Sequence, residues 1–292
     1  MIKKFKTLGV LLLSTIGIII LLLANSEIGN YFEDINQGII SVILIIPFPI
    51  LVFLAVGLFN KKINGLTFKN YGFKFQNFAT SSLLGIGLAI AIMTITLLIA
   101  NIFYGIKIEF YGLANDFEQP LLKTLSTLLV VSLWEEFYFR GLVFNTFLKN
   151  GFSFHFSALL SSVLFSIMHW FSFDMTETSW FWYIGIVFIG YILVYIYTYT
   201  NSIWSVVFFH LSWNFISGLM NNSKNEVGFF EITNYAEYSK IIDNIMVVCL
   251  GLFLGLLFYL TSKVANFNKI KSYIYQITTA NWVYRSAKYF DS

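Results

Sequence analysis

The feature that most constrains this chain is the recurrence of apolar stretches of about 18 or more residues, each long enough to cross a bilayer as a helix. Of the 292 residues, 58% are hydrophobic and 11% are charged. Charged residues make up about 25% of an ordinary soluble domain. The period-two alternation of an outer-membrane barrel is absent. We therefore predict an all-α, polytopic membrane protein with a single domain over residues 1–292.

The apolar stretches predict about eight transmembrane helices. The predicted spans cover residues 8–23, 38–59, 79–103, 121–147, 154–170, 180–199, 203–220 and 241–262. Pro47 and Pro49 predict a bend in the second span. The first span could instead be a signal peptide, but no clear small-residue cleavage site follows it, which favours a retained helix.

The distribution of basic residues predicts the orientation of the chain. An even number of spans puts both termini on one side, and the positive-inside rule makes that side the cytoplasm. The basic residues predicted on that side are Lys3, Lys4, Lys6, Lys61, Lys62, Lys69, Lys74, Lys149, Lys263, Lys269, Lys271, Arg285 and Lys288. We predict a protein of the cell membrane, with the lipid bilayer as its surroundings and no nucleic-acid partner.

The end of the chain, residues 263–292, is predicted to be a basic cytoplasmic tail. Between Lys269 and Lys288 the apolar residues have in part a helix-like spacing, so this stretch could be an interfacial helix or a solvated segment. Cys249 is the single cysteine, so it has no partner for an intramolecular disulfide, and we expect it to face lipid or the core.

The fourth predicted span carries two adjacent carboxylates and an arginine, which are Glu135, Glu136 and Arg140. A carboxylate at bilayer depth costs about 2.5–3.5 kcal/mol, so a structural ion pair or chemistry must offset it. Glu136 and Arg140 are four residues apart and can pair on one helical face. Glu135 lies about 100° away round the helix. It is left to face a polar cavity, where a desolvated carboxylate suits a general base.

The chain has three histidines, two of them inside apolar helices. His169 lies in the fifth predicted span, and His210 lies in the seventh with Asn214 four residues later on the same face. His155 lies near the cytoplasmic start of the fifth span, where an interfacial role is expected. A lone intramembrane histidine is typically an interhelical hydrogen-bonding group.

Together, these intramembrane polar groups predict one shared cavity, because polar side chains in lipid must face the bundle interior. A glutamate, two histidines and an asparagine suit water activation and oxyanion stabilisation. A set of Glu135, His169 and His210 could also bind zinc, although the helical His-Glu-x-x-His pattern is absent. A transporter or proton relay also uses buried Glu and His, but the inverted repeats expected of one are not visible.

Three motifs resemble those of the CAAX protease and bacteriocin-processing (CPBP or Abi) family of intramembrane proteases. Its signatures are Glu-Glu-x-x-x-Arg, Phe-x-x-x-His and His-x-x-x-Asn, in that order on separate membrane helices. This chain has them on the fourth, fifth and seventh predicted spans, within a core of residues 121–220. The matching residues are Glu135, Glu136, Arg140, Phe165, His169, His210 and Asn214.

The resemblance implies a role for each of these residues. Glu135 and His169 would activate the attacking water, and His210 and Asn214 would stabilise the tetrahedral oxyanion. Glu136 and Arg140 would hold the site together, and Phe165 would pack beside it. The family includes glutamic and metallo-type proposals, so both no cofactor and Zn²⁺ stay open.

We predict an intramembrane endopeptidase that hydrolyses a peptide bond of a membrane-associated protein or peptide. The resemblance suggests a role in peptide processing or bacteriocin self-immunity. The alternative is a non-catalytic membrane scaffold or immunity protein that binds a peptide or a sensor kinase. A sensor kinase or a bacteriocin system is therefore a candidate partner.

Overall fold

A computed structural model describes residues 67–110, 118–170, 180–220, 230–232 and 235–263, together with 9, 54, 57–58, 61–62, 65, 270, 272–275 and 277. Apart from isolated positions, the first two predicted spans and the proline bend lie outside the described residues. Both chain termini lie outside them too. The cytoplasmic location of the termini and the number of eight spans therefore stay predictions.

The described chain consists almost entirely of helices. They are α1 Phe78–Tyr104, α2 Glu118–Glu136, a π-helical segment Phe137–Phe144, α3 Asn145–Lys149, α4 Phe154–Trp170, α5 Trp180–Thr200, α6 Ile203–Met220 and α7 Tyr235–Lys263. Two short 3₁₀ helices, Phe68–Tyr71 and Phe75–Asn77, precede α1. Strand β1, Ile108–Phe110, pairs antiparallel with β2, Phe230–Ile232.

The all-α prediction is confirmed, and the helices are those of a multi-pass membrane protein. Within the described residues, three helices are long and apolar enough to cross a membrane, over Phe75–Tyr104, Trp180–Thr200 and Tyr238–Leu260. Phe154–His169 is apolar but shorter. The predicted fourth span is not one uniform helix, because it comprises α2, the π-helical segment and α3.

Helix α5 is the most enclosed of the three long apolar helices. It packs against α4 on one side and α7 on another, whereas α1 and α2 pack along α6. Its own sequence is apolar and aromatic almost throughout, as expected of a helix buried on all sides. The main core lies where α4, α5, α6 and the π-helical segment meet.

Gly85 sets the distance between α1 and α6. A Cβ placed there would overlap the carbonyl oxygen of Ser205 and lie 2.9 Å from the backbone nitrogen of Phe209. Backbone atoms cannot move aside as a flexible side chain can, so the two helices would have to separate. Small residues are the usual means by which membrane helices approach this closely.

We expect Gly85→Ala to lower the thermal unfolding temperature of the detergent-solubilised protein. Overpacking of this kind costs about 1–3 kcal/mol. The matched control is Gly87→Ala on the same helix, where a Cβ meets nothing within 4 Å. Equal melting temperatures for the two variants would show that the α1–α6 contact does not limit stability.

Three described residues of the C-terminal segment lie in the protein core and are not solvated, whereas the basic cytoplasmic tail over 263–292 stays a prediction. Ile270, Tyr273 and Ile277 are at most 2% exposed and belong to the main core, whereas Tyr275 is 71% exposed. The spacing of three and four residues puts the buried side chains on one helical face. An apolar face with this spacing suits a protein core as well as a membrane surface, so the pattern alone could not separate them.

Candidate active site

The helix that carries the paired glutamates changes from α to π geometry directly after Glu136. The π-helical segment is fully buried, and side chains from outside it hydrogen-bond its carbonyls. Ser161 of α4 donates to the carbonyl of Phe139 at 2.8 Å. Asn145 Nδ2 lies 3.0 Å from the carbonyl of Arg140 and 2.9 Å from that of Gly141. π-Helical turns are rare in proteins, and those that occur are often found at functional sites.

A buried ion pair forms the base of the site. Arg140 Nη1 donates to Glu136 Oε1 at 2.9 Å, and both residues are fully buried. Arg140 Nη2 donates to the carbonyl of Gly190 on α5 at 3.3 Å, and its guanidinium carbon lies 4.4 Å from the centre of the Phe165 ring. The positive charge therefore has a carboxylate, a carbonyl dipole and an aromatic face around it. This is the i, i+4 pair that the sequence spacing predicts.

His210 links this ion pair to Glu135. Its Nδ1 lies 2.9 Å from Glu136 Oε1, the same oxygen that Arg140 contacts. A carboxylate only accepts, so Nδ1 carries the hydrogen and Nε2 faces the other way. His210 Nε2 lies 3.8 Å from Glu135 Oε2, which is too far for a direct hydrogen bond. Glu135 Oε2 is buried and accepts no hydrogen bond from the described residues.

His169, at the end of α4, belongs to the same cluster. Its Nδ1 lies 2.9 Å from the carbonyl of Phe165, which accepts, so Nδ1 carries the hydrogen. In the neutral ring Nε2 is then an acceptor. The charges of Glu135 and Arg140 both act on this imidazole. His169 is thus oriented by its own helix towards a site made by two others.

Phe165 forms an aromatic wall between the charged groups. Its ring centre lies 4.6 Å from that of His169 and 5.7 Å from that of His210, both edge to face. On another side it packs against Phe139 at 5.1 Å. Phe165 therefore contacts residues from all three motifs, and its ring covers one face of the Arg140 guanidinium.

The remaining candidates lie at the edge of the site or outside it. Asn214 is on α6, one turn beyond His210, partly buried, and forms no hydrogen bond with the described residues. His155 lies elsewhere, with its Nδ1 2.9 Å from the Tyr191 hydroxyl and its ring stacked on Phe258. The structure thus assembles the two glutamates, Arg140, Phe165 and two of the three histidines, whereas Asn214 lies one helical turn from His210 on α6.

The segment that contains this cluster is similar to a known protein family. A family model described as type II CAAX prenyl endopeptidase, Rce1-like, matches residues 117–216. This segment contains every residue of the cluster. The family that this model describes is the CPBP family, so residues 117–216 are similar to that family. No curated protein and no solved structure matches it. This similarity supports a CAAX-protease-like endopeptidase and a membrane-associated peptide or protein substrate.

The zinc set that the sequence left open is not grouped as a set of metal ligands in the part of the chain that the structure describes. No three His, Cys, Asp or Glu side chains in the described ranges are arranged to hold a metal ion. The Nδ1 atoms of both histidines form hydrogen bonds, to Glu136 and to the Phe165 carbonyl, which leaves Nε2 as the other ring nitrogen of each.

Sequence reasoning missed three groups that support the motif residues. Asn145 and Ser161 bind carbonyls of the π-helical segment, and the carbonyl of Gly190 accepts from Arg140. The only sequence signal for Asn145 is a single amide within an apolar run. The sequence gives no sign that Gly190 matters. In the structure a Cβ at this position would lie 2.9 Å from Ser162 Cβ, so a side chain there would push α4 and α5 apart.

Proposed function

We propose that this protein is an intramembrane endopeptidase that hydrolyses a peptide bond of a membrane-associated protein or peptide. The observation that carries the proposal is the buried Glu135 Oε2, which faces His210 Nε2 at 3.8 Å without a hydrogen bond from the described residues. A water oxygen can lie about 2.8 Å from both atoms at once. A carboxylate held in this way suits a general base for water attack.

Glu135 takes a proton from the attacking water, and His169 assists from the other side. The Nε2 of His169 is an acceptor because Nδ1 is committed to the Phe165 carbonyl. Two acceptors can orient one water molecule, whose remaining lone pair attacks the scissile carbonyl. Glu135 then returns the proton to the leaving amine, so that the peptide bond breaks.

His210 and Asn214 stabilise the oxyanion that forms on the former carbonyl. A protonated His210 would donate from Nε2, and its charge would be balanced by Glu136 on the opposite nitrogen. Asn214, which has no hydrogen bond in the described part of the chain, supplies an amide donor one turn away.

Glu136 and Arg140 hold the site rather than react. Glu136 Oε1 receives hydrogen bonds from both Arg140 and His210 at 2.9 Å, which fixes the direction of the imidazole. In turn, α5 fixes Arg140 through the Gly190 carbonyl. The role in the cell that we propose is peptide processing or bacteriocin self-immunity, in which a bacteriocin system or a sensor kinase would be the partner.

The test compares wild type with the double variant Glu135→Gln/His169→Asn in nanodiscs. The probes are a farnesylated CAAX peptide and the membrane-peptide fraction of cells that lack the protein. We expect new peptide termini, detected by mass spectrometry, with wild type only. His155→Asn is the matched control, because this histidine lies outside the cluster, and it should cleave like wild type.

Other outcomes would favour the alternatives. Equal cleavage by wild type and the double variant would refute the proposed mechanism. A cellular phenotype that the double variant restores in full, without any cleavage, would favour the scaffold or immunity role. Ion or solute flux into liposomes that depends on Glu135 would favour a transporter.

A further inference from the structure

Residues 270, 272–275 and 277, here named the tail helix, contribute one face to the protein core. Ile270, Tyr273 and Ile277 are buried on this face, and Ser272 and Tyr275 are exposed on the other. The mechanism above uses none of these residues. Tyr273 is the only one of the buried three that carries a polar group.

The hydroxyl of Tyr273 reaches the helix that carries the active-site motif. It donates to Asn145 Oδ1 at 2.8 Å, and its ring packs against Tyr197 of α5 with centres 5.4 Å apart. Burial raises the pKa of the Tyr273 phenol well above its ordinary value, so the hydroxyl keeps its proton and stays a donor. This bond joins two residues 128 positions apart in the chain.

Asn145 links Tyr273 to the backbone of the π-helical segment. Its amide nitrogen lies within 3.1 Å of three acceptors, the carbonyls of Arg140 and Gly141 and the hydroxyl of Tyr197. Two amide hydrogens must serve these three acceptors, so the direction of the amide plane matters. The bond from Tyr273 to Oδ1 fixes that plane and therefore the donors on its other end.

We propose that Tyr273 is a positioning residue of the active site, acting through Asn145 on the backbone of Arg140, with the tail helix as the element that holds it. The proposal rests on the proposed function. Arg140 holds Glu136, and Glu136 orients His210, so a small shift of the π-helical segment would move the imidazole. A displacement of about 1 Å at a distant position can cost about 100-fold in rate.

The experiment uses the full-length protein in nanodiscs and compares Tyr273→Phe with Tyr275→Phe. Both changes remove one hydroxyl from the tail helix, but Tyr275 is 71% exposed. With the farnesylated CAAX peptide as substrate, we expect Tyr273→Phe to lower kcat about tenfold, with KM unchanged. Hydrogen exchange of residues 137–149 should rise in Tyr273→Phe and stay at the wild-type level in Tyr275→Phe.

The two readouts keep this inference separate from the proposed function. Unchanged exchange over residues 137–149 in Tyr273→Phe would overturn the inference, whatever the activity. Faster exchange with wild-type kcat would also overturn it, because the contact would then be structural only. If wild type cleaves no peptide while the exchange rises in Tyr273→Phe alone, the proposed function fails and the coupling of the tail helix to the site is upheld.

Discussion

Replacing Glu135 by glutamine is expected to abolish peptide cleavage while leaving the protein folded. Glutamine has nearly the same size and shape, but its amide cannot take a proton from water. Loss of a general base costs about 10²–10⁴-fold in rate. Glu135 is not part of the buried ion pair, since Arg140 contacts Glu136 alone through Nη1 at 2.9 Å. Stability should therefore change little.

The measurement for this variant is the initial rate of product formation from the farnesylated peptide, with thermal unfolding measured in parallel. Glu109→Gln is the matched control, because Glu109 is an exposed glutamate on β1, away from the cluster. A Glu135→Gln rate above one tenth of wild type would place the base elsewhere. His169 would then be the first candidate, because its Nε2 is an acceptor in the neutral ring.

The Glu136–Arg140 pair shows what the sequence can predict at such a site. A spacing of four residues on a helix, together with the cost of an unpaired charge in lipid, requires the two side chains to meet. The structure has them 2.9 Å apart and fully buried. The same reasoning predicts one cavity for the intramembrane glutamates and histidines, because lipid offers them no partner. Apolar spans are predictable as well, because a helix needs about 20 apolar residues to cross the hydrocarbon core of a bilayer.

The π-helical segment and the buried tail helix show what the sequence could not predict. Ordinary helical spacing does not reveal that the turn after Glu136 widens, because the widening goes with hydrogen bonds from Ser161 and Asn145. Tyr273 and its apolar neighbours have the spacing of an amphipathic helix that lies on a membrane surface. Whether such a face meets lipid or protein depends on which surface the rest of the fold leaves open.

Replacing Arg140 by methionine is expected to have the largest effect on stability. The change leaves Glu136 fully buried with His210 as its only remaining hydrogen-bond partner among the described residues. Removing one partner of a buried ion pair costs about 3–5 kcal/mol, because the other charge stays desolvated. The guanidinium also packs on Phe165 of α4 and donates to the Gly190 carbonyl of α5, so the variant loses both of these contacts. The free energy of unfolding in mixed detergent micelles measures this loss.

The double variant Arg140→Met/Glu136→Gln separates charge balance from catalysis. Both buried charges are absent from it, so much of the lost stability should return, and the unfolding free energies of the two single variants should not add. Cleavage should stay lost, because the neutral amide that replaces the Glu136 carboxylate can accept from His210 but cannot balance a protonated imidazole. If the double variant loses as much unfolding free energy as the two single variants together, the pair stabilises the protein through packing rather than through charge. If it cleaves like wild type, Glu136 has no part in orienting His210.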